Sequence, residues 1–119
     1  MSFINTKIVI KLINNLQNSI RGIKDSLNEF SFKLELIWLV IVILILLYID
    51  RDINNKIMAL VLAIILLVTE MINTSIELLC NRLTRKFDYE IKKVKDVASG
   101  AVFLMILANL VYIIYLLQP

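Results

Sequence analysis

IMALVLAIILLVTEMINTSIELL, the 23 residues from Ile57 to Leu79, decides the fold. Its length matches the roughly 20 apolar residues that a helix needs to cross a hydrocarbon core. Yet it carries Glu70, Asn73 and Glu77 inside it. An ionisable side chain held in hydrocarbon costs about 2.5 to 3.5 kcal/mol even on the mildest scales, so such a residue marks a functional site by default. At about 100° per residue, Glu70, Asn73, Glu77 and Asn81 fall within a sector of roughly 80°, and Thr74 joins them. One polar stripe therefore runs down one side of a membrane helix.

Two further apolar runs flank this one. LIWLVIVILILLYI, Leu36 to Ile49, is uncharged throughout, and VASGAVFLMILANLVYIIYLLQ, Val97 to Gln118, holds 22 uncharged residues. The expected architecture is one all-α integral membrane domain over residues 1–119, with spans near 33–49, 56–80 and 96–118. Before them, Leu12, Ile13, Leu16, Ile20, Ile23 and Leu27 recur at helical spacing opposite Lys11, Asn14, Gln17, Arg21 and Lys24. That pattern predicts an amphipathic helix over about 6–28 lying on the membrane surface, with packing against the bundle as the alternative.

The whole composition agrees. Of 119 residues, 60% are hydrophobic and 19% charged, and mean hydropathy is +0.83. Charge is confined to patches between the apolar runs. Lys and Arg number five in the leader (Lys7, Lys11, Arg21, Lys24, Lys33), two in the first link (Arg51, Lys56) and six in the second (Arg82, Arg85, Lys86, Lys92, Lys93, Lys95). The positive-inside rule then places the amino terminus and the second link in the cytoplasm and the carboxyl terminus outside. Nucleic-acid binding is not expected, because topology accounts for the basic residues and no basic stripe with interleaved aromatics exists. Histidine is absent, which excludes imidazole catalysis, and the lone Cys80 excludes an internal disulfide or a cysteine zinc site. MSFINTKIVIKLINN has no compact apolar segment before a small-residue cleavage site, so no removable signal is expected.

Glu70 and Glu77 stand about 10 Å apart along the helix axis. That separation suits two jobs. A carboxylate at the water edge, Glu77, suits a hard cation such as Mg²⁺, which binds through one or two carboxylates plus substrate phosphates. A deeper one, Glu70, suits acceptance of a proton from a lipid hydroxyl during phosphoryl transfer. The plainer reading is that the stripe knits helices together by hydrogen bonds, which serves Asn73 and Thr74 better than two carboxylates.

ExxNTSIExxxNR, Glu70 to Arg82, followed by KxKDVASGAV, Lys93 to Val102, resembles the signature of the small prokaryotic diacylglycerol kinase family, which includes undecaprenol kinases. NEFSFKLE, Asn28 to Glu35, resembles that family's patch before the first span. The resemblance implies a homotrimer with three spans and a surface helix per subunit, in a bacterial inner membrane, moving the ATP γ-phosphate to a lipid alcohol. It further implies Glu70 as catalytic base with Asn73 beside it, and Glu29 and Glu77 as ligands to Mg²⁺ bridging to ATP. Lys95, Asp96 and the Asn81 position would contact the nucleotide, with Ser99 and Glu35 on the lipid side. The family usually has an acidic residue where Asn81 stands, and an amide adds no charge to a cation.

Each residue has a plainer counterpart. Lys95 would serve as a positive-inside anchor, Asp96 as an N-cap of the third span, Glu29 as a solvated charge and Cys80 as packing. Gly100 with Ala98 and Ala101 would let helices approach. No GxxxxGK[ST] phosphate loop or glycine-rich kinase loop is possible with Gly22 and Gly100 as the only glycines, so ATP would be held by side chains and metal. NEFSFKLE leans towards diacylglycerol as acceptor and KDVASGAV towards undecaprenol. A proton-coupled transporter and a non-catalytic membrane subunit are the readings from other classes. The transporter needs access from both faces, whereas the polar stripe reaches only one.

Overall fold

The computed structural model describes residues 2–119, with side chains from residue 5 onward. Four helices follow in order: α1 (Ser2–Ser26), α2 (Phe30–Tyr48), α3 (Ile53–Leu83) and α4 (Tyr89–Leu117). There is no strand among the described residues. The last three helices are long and apolar enough to cross a membrane. Only 22%, 33% and 22% of their most apolar windows are buried inside the protein, so most of that apolarity faces outward, as lipid requires.

Helix α3 is the central element and packs against both α2 and α4. The half of the bundle near the α2–α3 link is closed by Val42 and Leu46 of α2, Ala59 and Ala63 of α3, and Ile113 and Leu116 of α4. Ala59 and Ala63, four residues apart, give α3 a small-residue face on which its neighbours can sit closely. At that same end Arg51 Nε donates to the carbonyl of Leu116 at 3.0 Å and its Nη2 donates to that of Gln118. A cationic side chain thus satisfies orphan carbonyls at the carboxyl end of α4. Tyr112 adds a bond from its hydroxyl to the Asn55 carbonyl at 3.1 Å.

Midway along the bundle, one amide ties all three spanning helices together. Asn109 is 2% exposed. Its Oδ1 accepts from Trp38 Nε1 of α2 at 3.1 Å, and its Nδ2 donates to the carbonyls of Leu62 of α3 at 3.1 Å and Met105 of its own helix at 2.9 Å. Two of these bonds cross between helices, each worth on average about 0.6 and at most about 1.7 kcal/mol in a membrane. Asn109→Leu is therefore expected to destabilise the bundle by about 1 to 3 kcal/mol, read as a lower midpoint in detergent-driven unfolding. An unchanged midpoint would show that the amide adds nothing.

Helix ends differ from the apolar windows for local reasons. Helix α4 starts at Tyr89, well before Val97, because Asp88 is its N-cap and its Oδ1 accepts from the backbone N–H of Ile91 at 3.1 Å. Asp96 is therefore not an N-cap; it lies inside α4 and its carboxylate pairs with Lys92 Nζ at 2.6 Å, one turn away. Nor does Gly100 seat a neighbouring helix within this chain, since a Cβ placed there would meet nothing within 4 Å. Helix α1 ends at Ser26, whose hydroxyl donates back to the Gly22 carbonyl at 2.9 Å. Its apolar residues Leu12, Leu16, Ile20 and Ile23 stay exposed rather than packing on the bundle. Gly22 and Ser26, near its carboxyl end, come beside Met71 and Thr74 of α3.

Candidate functional site

The other half of the bundle buries polar residues where an ordinary core would bury apolar ones. Glu35 (8% exposed), Glu70 (5%) and Asn73 (7%) lie inside it beside Leu66 and Val102. They line a cavity of about 320 Å³ to which α2, α3 and α4 all contribute. Glu29, Thr74, Glu77 and Ser99 line it as well. Among the described residues, four carboxylates and no Lys or Arg line this cavity.

Depth divides the carboxylates. Glu70 and Glu35 are buried, whereas Glu77 and Glu29 are exposed at the rim. Helix geometry alone explains the α3 pair, because seven residues are two turns, which returns the side chain to the same face at a higher level. Glu29 reaches the rim by another route. It occupies the N-cap position of α2 with φ −85° and ψ 130°, yet its side chain makes no capping hydrogen bond. Its carboxylate is thus left to the cavity rather than to the helix it precedes.

Asn73 and Thr74, one turn along α3, line the same cavity as the Glu70 carboxylate. Among the described residues, two buried side-chain oxygens have no partner, Glu35 Oε2 and Asn73 Oδ1. Buried acceptors left unpaired cost about 1 to 3 kcal/mol each, so an O–H or N–H arriving in the cavity gains what the folded chain forgoes.

Basic groups collect next door. Lys95, Arg85, Lys86 and Lys92 line a second cavity of about 390 Å³ at the α3–α4 link, together with Asn81. Asn81 sits one turn beyond Glu77, and its Oδ1 accepts from Lys95 Nζ at 2.8 Å. Carboxylate rim and basic cavity therefore adjoin along α3. Of the nine residues singled out from sequence, Glu29, Glu35, Glu70, Asn73, Glu77 and Ser99 converge on the first cavity, Asn81 and Lys95 meet in the second, and Asp96 is engaged by Lys92 outside the first. Ser31 joins the first cavity as well. A lone serine at the second residue of α2 carries no sequence signal beyond its place in NEFSFKLE.

Rim carboxylates suit a cation that brings other ligands with it. Among the described residues no group of three Asp, Glu or Cys side chains forms a ready-made metal cage. Glu29 and Glu77 do fit the one- or two-carboxylate share that Mg²⁺ takes when phosphates supply the rest.

No curated protein matches the chain. The family model for prokaryotic diacylglycerol kinase matches residues 17–117, most of the chain and all three spanning helices. With a family match of that extent, the chain belongs to the prokaryotic diacylglycerol kinase family.

Proposed function

We propose that this protein transfers the γ-phosphate of ATP to the free hydroxyl of diacylglycerol, giving phosphatidic acid, at the cytoplasmic boundary of a bacterial inner membrane. The observation that carries the reading is the burial of Glu70 beside unpartnered acceptors, one turn from Asn73 and two turns below the rim carboxylate Glu77. Glu70 accepts the proton of the lipid hydroxyl, whose oxygen bonds to the γ-phosphorus. The bond from that phosphorus to the β,γ-bridging oxygen breaks, and ADP leaves with the electron pair. Asn73 and Thr74 hold the Glu70 carboxylate in place.

A triphosphate cannot rest against four carboxylates unaided. Glu29 and Glu77 would hold Mg²⁺, which when bound neutralises phosphate charge between the two. Lys95 and Arg85 in the adjoining cavity supply further positive charge to the nucleotide, with Asp96 orienting the Lys92 end of that cavity. Ser99 and Glu35 face the lipid. Asn81 brings no charge to this arrangement, so Asn81→Asp is expected to lower the KM for magnesium–ATP several-fold, measured by initial rates. An unchanged KM would place the nucleotide elsewhere.

The resemblance supports a homotrimer, and the exposed apolar face of α1 supports a helix lying on the cytoplasmic membrane surface. Undecaprenol is the second reading for the acceptor, favoured by KDVASGAV. A proton-coupled transporter fits less well, because apolar packing of Val42, Leu46, Ala63 and Ile113 closes the end of the bundle remote from the carboxylates. The test is purified protein with Mg²⁺ and labelled ATP, offered diacylglycerol and undecaprenol separately in mixed micelles. Label in diacylglycerol is the expected result; label in neither lipid overturns the kinase reading.

A further inference from the structure

Below the carboxylate cavity, towards the middle of the membrane, the same three helices leave a second opening of about 190 Å³. Leu34, Trp38, Leu66, Ile106 and Leu110 give it an almost wholly apolar wall. It shares Leu34, Glu35 and Ile106 with the polar cavity, so the two adjoin at these side chains. Glu35, at the junction, is the residue whose buried Oε2 has no partner. An occupant matching this outline is polar at the level of Glu35 and hydrocarbon beneath it.

The floor offers nothing polar to an occupant. Trp38 Nε1–H is given to Asn109 Oδ1, and Asn109 Nδ2 is given to the Leu62 and Met105 carbonyls. Every polar atom that these two side chains bring to the opening is already paired. An ester oxygen pushed to this depth would find no donor and bear the full desolvation penalty. The same bonds hold the indole in one orientation at the wall of the opening, since Asn109 is tied to both neighbouring helices.

We propose that this slot holds one hydrocarbon chain of the lipid acceptor, with Trp38 as the specificity-determining floor and Asn109 as the positioning residue that fixes it. The inference rests on the lipid-kinase reading of the adjoining cavity. Polar groups of the acceptor remain above, at Glu35 and the serines; only hydrocarbon passes the level of Glu35. Diacylglycerol and a polyprenol both supply such a chain.

Trp38 is the only tryptophan in the chain, so its fluorescence reports on the slot directly. In lipid nanodiscs, diacylglycerol brominated near the ester end of one acyl chain is expected to quench Trp38 saturably, at mole fractions where phosphatidylcholine with the same bromines quenches little. Unlabelled diacylglycerol or undecaprenol should restore the emission, and whichever restores it at the lower mole fraction is the preferred source of the chain. Asn109→Leu should raise the KM for the lipid several-fold and leave the KM for ATP unchanged. Equal quenching by the two brominated lipids overturns the slot, because ordinary boundary lipid then reaches Trp38 as well. No quenching by either, with emission that changes only when subunits dissociate, also overturns it and assigns the opening to a second copy of the chain. Phosphorylation measured in the same nanodiscs separates the two claims: label in the lipid without preferential quenching removes the slot alone, and absence of label removes the kinase reading.

Discussion

Glu70→Gln is expected to lower phosphoryl transfer by about 10²- to 10⁴-fold, the range that a positioned general base contributes, with little change in the KM for ATP or in stability. The amide has the shape of the acid, and its carbonyl oxygen can still accept a hydrogen bond in the cavity that Asn73 and Thr74 also line. What it cannot do is take a proton from an incoming hydroxyl. A ground-state role would give the opposite pattern, a raised KM with turnover preserved, since interactions made equally with substrate and transition state move only binding. The measurement is initial rate against lipid and nucleotide concentration in mixed micelles, with detergent unfolding of the same preparations as control. Turnover within a few-fold of wild type would remove Glu70 from the chemistry. A lowered unfolding midpoint with parallel loss of activity would place it among the structural residues.

The spans were legible in the sequence because lipid leaves a helix little choice of surface. A run such as Val97 to Gln118 is apolar on every side whatever packs against it. The α3 face of the site was legible for a related reason: Glu70, Asn73 and Glu77 belong to one helix, and helical periodicity fixes their common side without knowledge of any partner. What periodicity cannot give is which residues of other helices meet that face. Glu29 reads as a solvated charge until the turn before α2 sets it at the cavity rim, and Asp96 reads as an N-cap until Asp88 is seen to hold that place. Asn109 is the plainest case. It sits in a run counted as uncharged, and its partner Trp38 lies 71 residues away in sequence. A solitary amide in an otherwise apolar span is a signal in its own right, because burying it without partners would cost about 1 to 3 kcal/mol; its partner becomes visible only once α2 and α4 are placed on α3.

Glu77→Gln is expected to raise the magnesium concentration for half-maximal activity by at least the roughly 10- to 100-fold that even an outer-shell partner of a metal is worth. The residue is exposed at the rim, so the substitution removes a charge without burying a new polar group, and the fold should be unaffected. Only Glu29 then remains at the rim to meet the cation. Because Mg²⁺ draws its other ligands from phosphate and water, one carboxylate can still hold it, and saturating magnesium should recover most of the turnover. That rescue separates Glu77 from Glu70, whose loss no metal concentration repairs. Titration of initial rate against free magnesium at fixed ATP, for wild type, Glu77→Gln and Glu29→Gln, measures the shift. Curves that superimpose would show that neither carboxylate meets the metal; a shift for Glu29→Gln alone would move the cation to the α2 side of the cavity. If both single variants shift the midpoint and the double variant cannot be saturated, the two rim carboxylates act on one ion, which is the arrangement that lets a cavity lined by four acidic side chains accept a triphosphate.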